Sequence, residues 1–411
     1  MLEAYRKHAA ERAALGIPPR PLDAEQAEAL CALFERPPAG EEEVLLALLR
    51  DRVPPGVDPA AQVKAAFLGA VVRGDRRSPL LPPAAAVELL GTMMGGHCVP
   101  PLLERLDDPA LADAAARALA RTLYVHEGAE RVVERARTSP AARRVLESWA
   151  AAEWFTGRPP LPAELQVTVF KVDGEINTDD LSPAGDAATR PDIPLHALAM
   201  GKARFPGGVA RVAALRKAGA AVAFVGDVLG TGSSRKSACN SLLWHIGEYV
   251  PFVPNKRRGG VIVGGAIAPI FFNTAQDSGA LPIRADVTRL ETGDVLVVDT
   301  VRGELRRADA GGRGEVLARF ALAPVTRVTN TAPAAGCRSS WARAHRARAR
   351  RWGSPPPSSS PARRTPPPRR GKATRSRRRW SAAPAGSRAR SPAARTSRGS
   401  PRSARRTRPA R

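Results

Sequence analysis

Cysteine, histidine and aromatic residues are scarce in this chain of 411 residues, and each scarcity removes a class of protein. The four cysteines, Cys31, Cys98, Cys239 and Cys337, lie far apart with no C-x-x-C pair. That spacing supports neither a disulfide framework nor a zinc site. His97 beside Cys98 reads as an ordinary loop pair rather than a ligand set, so no metal site is expected from these residues. No apolar run approaches the roughly 18 residues that span a bilayer. The opening Met1-Leu2-Glu3-Ala4-Tyr5-Arg6-Lys7-His8 has no apolar signal core and no lipidation motif. A reduced, cytoplasmic protein with no membrane contact is the expectation.

Acidic residues are missing from one region altogether. Residues 331–411 contain 23 Arg, one Lys and no Asp or Glu, whereas the first 330 residues carry 40 basic and 39 acidic side chains. The net charge of +25 therefore belongs to a nearly neutral globular part and a basic tail. The tail also lacks Leu, Ile, Val, Met, Phe, Tyr, Asn and Gln, so it cannot bury enough apolar surface to offset its ordering entropy and is expected to be disordered. Every missing type has A or U at the second codon position, and only His345 and Lys372 break that rule. A GC-rich gene read one register off gives this composition, so the tail from about residue 328 is expected to be an out-of-frame product. The alternative is a genuine Arg/Pro/Ser-rich arm that binds nucleic acid through phosphate contacts.

What is present divides the remainder in two. Residues 1–160 read as short amphipathic helices separated by Pro and Gly. Asp23-Ala24-Glu25-Gln26 is a capping box, with Ala27, Leu30, Leu33 and Phe34 at helical spacing behind it. Val44, Leu45, Leu48 and Leu49 form a second stripe. A third helix starts at Asp58-Pro59 and runs through Val63, Phe67, Ala70 and Val71. Further helices are expected over Val87–Leu90, Ala110–Leu123, Val132–Ala136 and Pro140–Trp154. Such a succession suggests an α-solenoid or an irregular bundle that serves as scaffold or interaction surface. From Leu165 the pattern changes to strands, at Val167–Val172, Ala221–Val225, Gly260–Val263 and Val295–Val298, mixed with helices. A compact α/β domain over 165–327 follows.

Candidate chemistry sits in three segments of that domain. Gly226-Asp227-Val228-Leu229-Gly230-Thr231-Gly232-Ser233-Ser234-Arg235-Lys236-Ser237 follows the strand expected to end at Val225 and precedes a helix from Ser237 to Ile246. Glycines permit a tight turn and close backbone approach, free N–H groups at a helix start favour an anion, and Arg235 can clamp a carboxylate bidentately. The Gly-Lys-Ser/Thr order of a Walker A loop is absent. The physical reading is a small-carboxylate site, and the alternative is a plain structural turn. Asn177-Thr178-Asp179-Asp180-Leu181-Ser182-Pro183, followed by Arg190-Pro191-Asp192, forms a polar loop after a strand. On their own, Asp179 and Asp180 read as cap or turn residues. The third segment runs from Ala268-Pro269-Ile270-Phe271-Phe272-Asn273-Thr274 to Gly279-Ala280-Leu281-Pro282, and its aromatics are expected in the core.

These segments, in this order, resemble the swivel domain of the aconitase superfamily, and with the helical region in front the chain is similar to the bacterial aconitate hydratase B family. Met1–His8, Arg52-Val53-Pro54-Pro55-Gly56-Val57-Asp58 and Leu89-Leu90-Gly91-Thr92-Met93 also look like that family. The resemblance covers about residues 1–327. It implies a HEAT-like helical domain (1–160), a swivel domain (165–327) and cluster-bearing domains beyond them. It also implies reversible conversion of citrate to isocitrate through cis-aconitate, and processing of 2-methylisocitrate by some members.

Residue by residue, Ser233 resembles the catalytic base, and Ser234 and Arg235 look like substrate-carboxylate ligands. Arg190 resembles the arginine that binds citrate or isocitrate, and Asp179 matches an active-site aspartate. The family uses a 4Fe–4S cluster as Lewis acid on the substrate hydroxyl, and some members bind mRNA when the cluster is lost.

This sequence departs from the pattern in lacking the three cluster cysteines and in a shorter Gly201–Val212 segment. It leaves family-like sequence near Val325–Val328. The expectation is the N-terminal part of such an enzyme, truncated or frameshifted and inactive alone, with a dimer surface on the helical domain. Two alternatives stand beside it: a swivel subunit that pairs with a separate iron–sulfur subunit, as in the similar isopropylmalate dehydratases, and an RNA-binding regulatory protein.

Overall fold

The computed structural model describes residues 1–322, apart from 123, 124, 126, 158 and 310–313. The basic tail, Cys337 and the Val325–Val328 boundary lie outside the described residues.

The N-terminal region is an array of helices: α1 (Leu2–Ala13), α2 (Ala24–Leu33), α3 (Glu42–Asp51), α4 (Pro59–Arg73), α5 (Pro83–Gly91), α6 (Val99–Glu104), α7 (Ala112–Arg121), α8 (Gly128–Arg135), α9 (Pro140–Ala151) and α10 (Glu153–Thr156). Local chemistry sets their starts. Asp23 and Gln26 form the reciprocal capping box, and Asp58 accepts from the N–H of Ala60 ahead of Pro59. Packing passes from neighbour to neighbour: α2 on α4, α4 on α5, α5 on α7 and α7 on α9, with α3, α6 and α8 against them. One continuous core results, in which Phe34 and Phe67 lie 5.6 Å apart. Trp149 is fully buried there and donates its indole N–H to the carbonyl of Leu119 at 3.1 Å, the pairing that makes its burial affordable.

Two expectations shift here. Val44 turns outward, while Leu45, Leu48 and Leu49 fill the core. The helix expected to reach Trp154 ends at Ala151, because Ala152 takes a left-handed conformation (φ 56°) before α10 begins.

The second region is a mixed sheet. Its strands are β1 (Glu164–Asn177), β2 (Val222–Thr231), β5 (Val261–Ile267), β6 (Leu281–Arg284), β7 (Val295–Asp299), β8 (Glu304–Arg307) and β9 (Val316–Arg319); a separate two-stranded ribbon of β3 (Glu248–Tyr249) and β4 (Arg257–Arg258) lies between β2 and β5 in the chain. The order is β6-β5-β2-β1-β7-β8-β9. β1, β2, β5 and β6 are parallel, and β7–β9 form an antiparallel meander on the other side of β1. Helices α11 (Thr178–Leu181), α12 (Ile193–Ala197) and α13 (Gly208–Lys217) lie between β1 and β2, α14 (Arg235–Ile246) follows β2, and α15 (Pro269–Asp277) follows β5.

Side chains alternate along the strands with period two. Phe170, Phe224 and Ile262 join the core under α14 and α15, while Val169, Val225 and Val263 join a second core with the meander. Phe170 and Phe224 are register partners with ring centroids 5.9 Å apart. Phe271 is fully buried as expected. β2 continues to Thr231 rather than ending at Val225, because Val228 and Leu229 pair with both β1 and β5.

Candidate active site

The last residues of β1 and β2, Asn177 and Thr231, are register partners on adjacent parallel strands. Ligands of open α/β sheets bind outside such carboxyl ends, where the following helices present their N-termini.

On the β1 side, Asn177 Oδ1 accepts the N–H groups of Asp179 and Asp180, each at 2.8 Å, and the Asp180 carboxylate accepts the N–H of Asn177 at 2.9 Å. Asp180 is thus a cap, in line with the plain reading of its sequence. Asp179 is exposed, and its carboxylate has no hydrogen-bonding or ionic partner among the described residues. On the β2 side the turn is shorter than the sequence suggests, since only Gly232-Ser233-Ser234 separates β2 from α14. Gly232 has φ 107°, and a Cβ there would sit 2.5 Å from Thr178 Oγ1. Arg235 is already the first residue of α14, and Ser234 at the N-cap position makes no side-chain capping bond. The Arg235 guanidinium likewise has no partner among the described residues.

Two contacts join the sides. The Ser234 N–H donates to Thr178 Oγ1 at 3.2 Å, and the Thr231 hydroxyl donates to Glu175 at 2.6 Å. Thr178 and Glu175 escape sequence reasoning because their partners lie 56 residues away.

Arg190 arrives from the connection between α11 and α12. Its Nη1 donates to the carbonyl of Leu195 at 3.2 Å, and its Nε lies 3.6 Å from the Asp186 carboxylate. Asp186 also pairs with Lys202, and that hydrogen bond, with the charges of Lys202 and Arg190, holds its carboxyl below the ordinary range. Arg190 also lines a cleft of about 320 Å³, together with Ser182, His196, Ser234, Ser237 and Asn240. Ser182 and His196 share a hydrogen bond of 2.8 Å. The fold therefore brings Arg190 and Ser234 to one cleft. Ser233 and Arg235 flank Ser234 in the chain, and Asp179 adjoins through the Thr178–Ser234 bond; none of these three lines the cleft itself.

The residues present do not suit an iron–sulfur cluster. Among the described residues no three His, Cys, Asp or Glu side chains gather as a ligand set. Cys31, Cys98 and Cys239 are buried in packed cores, and burial pushes their thiols up to about 12, 11 and 11. That holds them neutral, whereas ligation needs thiolate. No described helix is long and apolar enough to cross a membrane.

Comparison with known proteins agrees with this layout. Residues 4–155 match the family described as the aconitate B N-terminal domain, and residues 167–346 match the aconitate hydratase 2 N-terminus. Aconitate hydratase B of Synechocystis sp. is 55% identical over 328 residues, 79% of this chain and 37% of that protein. The Escherichia coli protein of the same name is 56% identical over 333 residues, 78% of this chain and 38% of its own. That of Helicobacter pylori is 48% identical over 327 residues, covering 79% and 38%. The chain spans less than two fifths of the length of these curated relatives. Through both of its described regions, the helical array and the α/β sheet, it belongs to the aconitate hydratase B family, whose N-terminal portion it carries.

Proposed function

We propose that this chain supplies the carboxylate-binding side of an aconitate hydratase active site, for citrate, isocitrate and, by kinship, 2-methylisocitrate. The convergence of Arg190 and Ser234 on one cleft carries the reading, because they come from separate segments and present the donors a carboxylate needs. Arg190 grips one carboxylate with the edge left free by Leu195. Ser234, the uncapped start of α14 and Arg235 take a second.

Ser233 is the base that removes the proton from the carbon next to a substrate carboxylate. A serine hydroxyl is far too weak a base unaided. Arg235, with no partner among the described residues, and the positive end of α14 beside it lower the cost of the alkoxide. Asp179, its carboxylate without a partner among the described residues, orients the charged groups at the rim. The Lewis acid of the family reaction finds no ligand set among the described residues, so the chain by itself binds tricarboxylate without turning it over.

The test pairs a binding titration with a turnover assay on the purified 411-residue chain. Saturable binding of tricarballylate, a non-reacting tricarboxylate, should weaken by about 10- to 100-fold in Arg190→Ala and in Arg235→Ala, the range for losing a charged hydrogen-bond partner. Formation of cis-aconitate from citrate should be absent. Binding that ignores both substitutions would contradict the assignment, and turnover by the chain would contradict its dependence on a separate metal-bearing part.

A further inference from the structure

Arg12 is a helix residue of the N-terminal array, yet its side chain ends in the α/β region. It is 5% exposed, and all three guanidinium nitrogens are engaged. Nη1 and Nη2 meet the two oxygens of Asp192 at 3.0 and 2.6 Å, and Nε donates to the carbonyl of Pro18 at 2.9 Å. Asp192 in turn is the N-cap of α12: its carboxylate accepts the N–H of Leu195 at 3.2 Å, and its carbonyl accepts that of His196 at 2.9 Å. Leu195 then offers its own carbonyl to Arg190. Three links therefore run from Arg12 through Asp192 and Leu195 to the guanidinium of Arg190, a residue that lines the cleft. Pro191 and Pro194 fix φ on either side of the cap, which narrows the conformations open to this short piece of chain.

A buried ion pair is a poor source of stability, since desolvation offsets its attraction, but a bidentate pair fixes orientation well. A second contact of the same seam, Asn255 Nδ2 to the carbonyl of Pro19 at 2.9 Å, holds the two regions together without touching the Arg190 segment. Fastening is thus available elsewhere, and the Arg12 pair bears on the cleft in particular.

We propose that Arg12 is a positioning residue for tricarboxylate binding: through Asp192 and Leu195 the helical region sets where the Arg190 guanidinium stands. The inference rests on the functional reading above for the identity of the ligand, but the mechanical link is independent of it.

Two measurements on the full chain separate these. Hydrogen exchange at the amides of Arg190, Leu195 and His196 should quicken about tenfold or more in Arg12→Ala and in Asp192→Asn, with the amides of β1, β2 and β5 unchanged. Tricarballylate affinity should fall about tenfold in Arg12→Ala, recover in part in Arg12→Lys, and show no further loss when Arg12→Ala is added to Arg190→Ala. Wild-type exchange at those three amides in Arg12→Lys and Asp192→Asn alike would overturn the link, whether or not Arg12→Ala folds. Faster exchange with unaltered affinity would overturn the positioning role. If the wild-type chain binds no tricarballylate, the functional reading fails, while the exchange result still decides the link.

Discussion

Gly232 carries a constraint that other residues meet only at a cost. Its φ of 107° and the closeness of Thr178 Oγ1 leave no room for a Cβ, so Gly232→Ala should destabilise the chain by about 1–3 kcal/mol and lower the thermal midpoint. The same substitution should weaken tricarballylate binding, because it moves Ser234 away from Thr178. Arg235 is the opposite case. With no partner among the described residues, Arg235→Ala should leave the midpoint nearly unchanged, within about 0.5 kcal/mol, and act on binding alone. A midpoint shift as large as that of Gly232→Ala would show that Arg235 is structural. Ser234 stands out in the sequence through its place in a Gly-rich turn before a helix, whereas Arg190 stands out only through resemblance to a family; the fold brings both to one cleft. Thr178, Glu175 and the Ser182–His196 pair do not stand out, since each acts through a partner that only the fold brings near.

At the scale of elements, α4 holds the clearest anomaly. Lys64 is 2% exposed inside the helical core, and burial lowers its ammonium to about 8, only partly offset by the charge of Asp51. From about pH 8 to the ordinary value of 10.5 the unfolded chain therefore binds more protons at this site than the folded one. Stability should climb with pH across that window and level off at its lower value below about pH 8, where both states hold the proton. Lys64→Met should abolish the climb and raise stability at neutral pH by about 2 kcal/mol, readable as a shift in the urea midpoint. An unchanged pH profile would mean that the ammonium reaches water.

Helix starts at Asp23 and Asp58 were readable because caps are local. Strand ends were less so. Gly226 and Gly230 look like a turn in isolation, but pairing with β1 and β5 on both sides keeps β2 extended to Thr231. β8 and β9 offer only four residues each, too few for a pattern of their own.

For the molecule as a whole, the helical array and the sheet meet through Arg12, Asp192, Pro19 and Asn255, residues as far as 236 positions apart. No pattern within either region could announce that seam, whereas the kinship of both regions was visible in short stretches of their sequence. On the proposed reading, the seam makes the array part of the binding apparatus rather than an appendage. Separating the regions should therefore cost ligand affinity as well as stability. What the chain does by itself reduces to one question, whether the carboxylate side of the site works without the remainder of its relatives' length. A calorimetric titration of the intact chain with citrate answers it most directly. The account predicts saturable heat for one site that disappears in Arg190→Ala, with the citrate recovered unchanged. No saturable heat, or heat indifferent to Arg190, would contradict it.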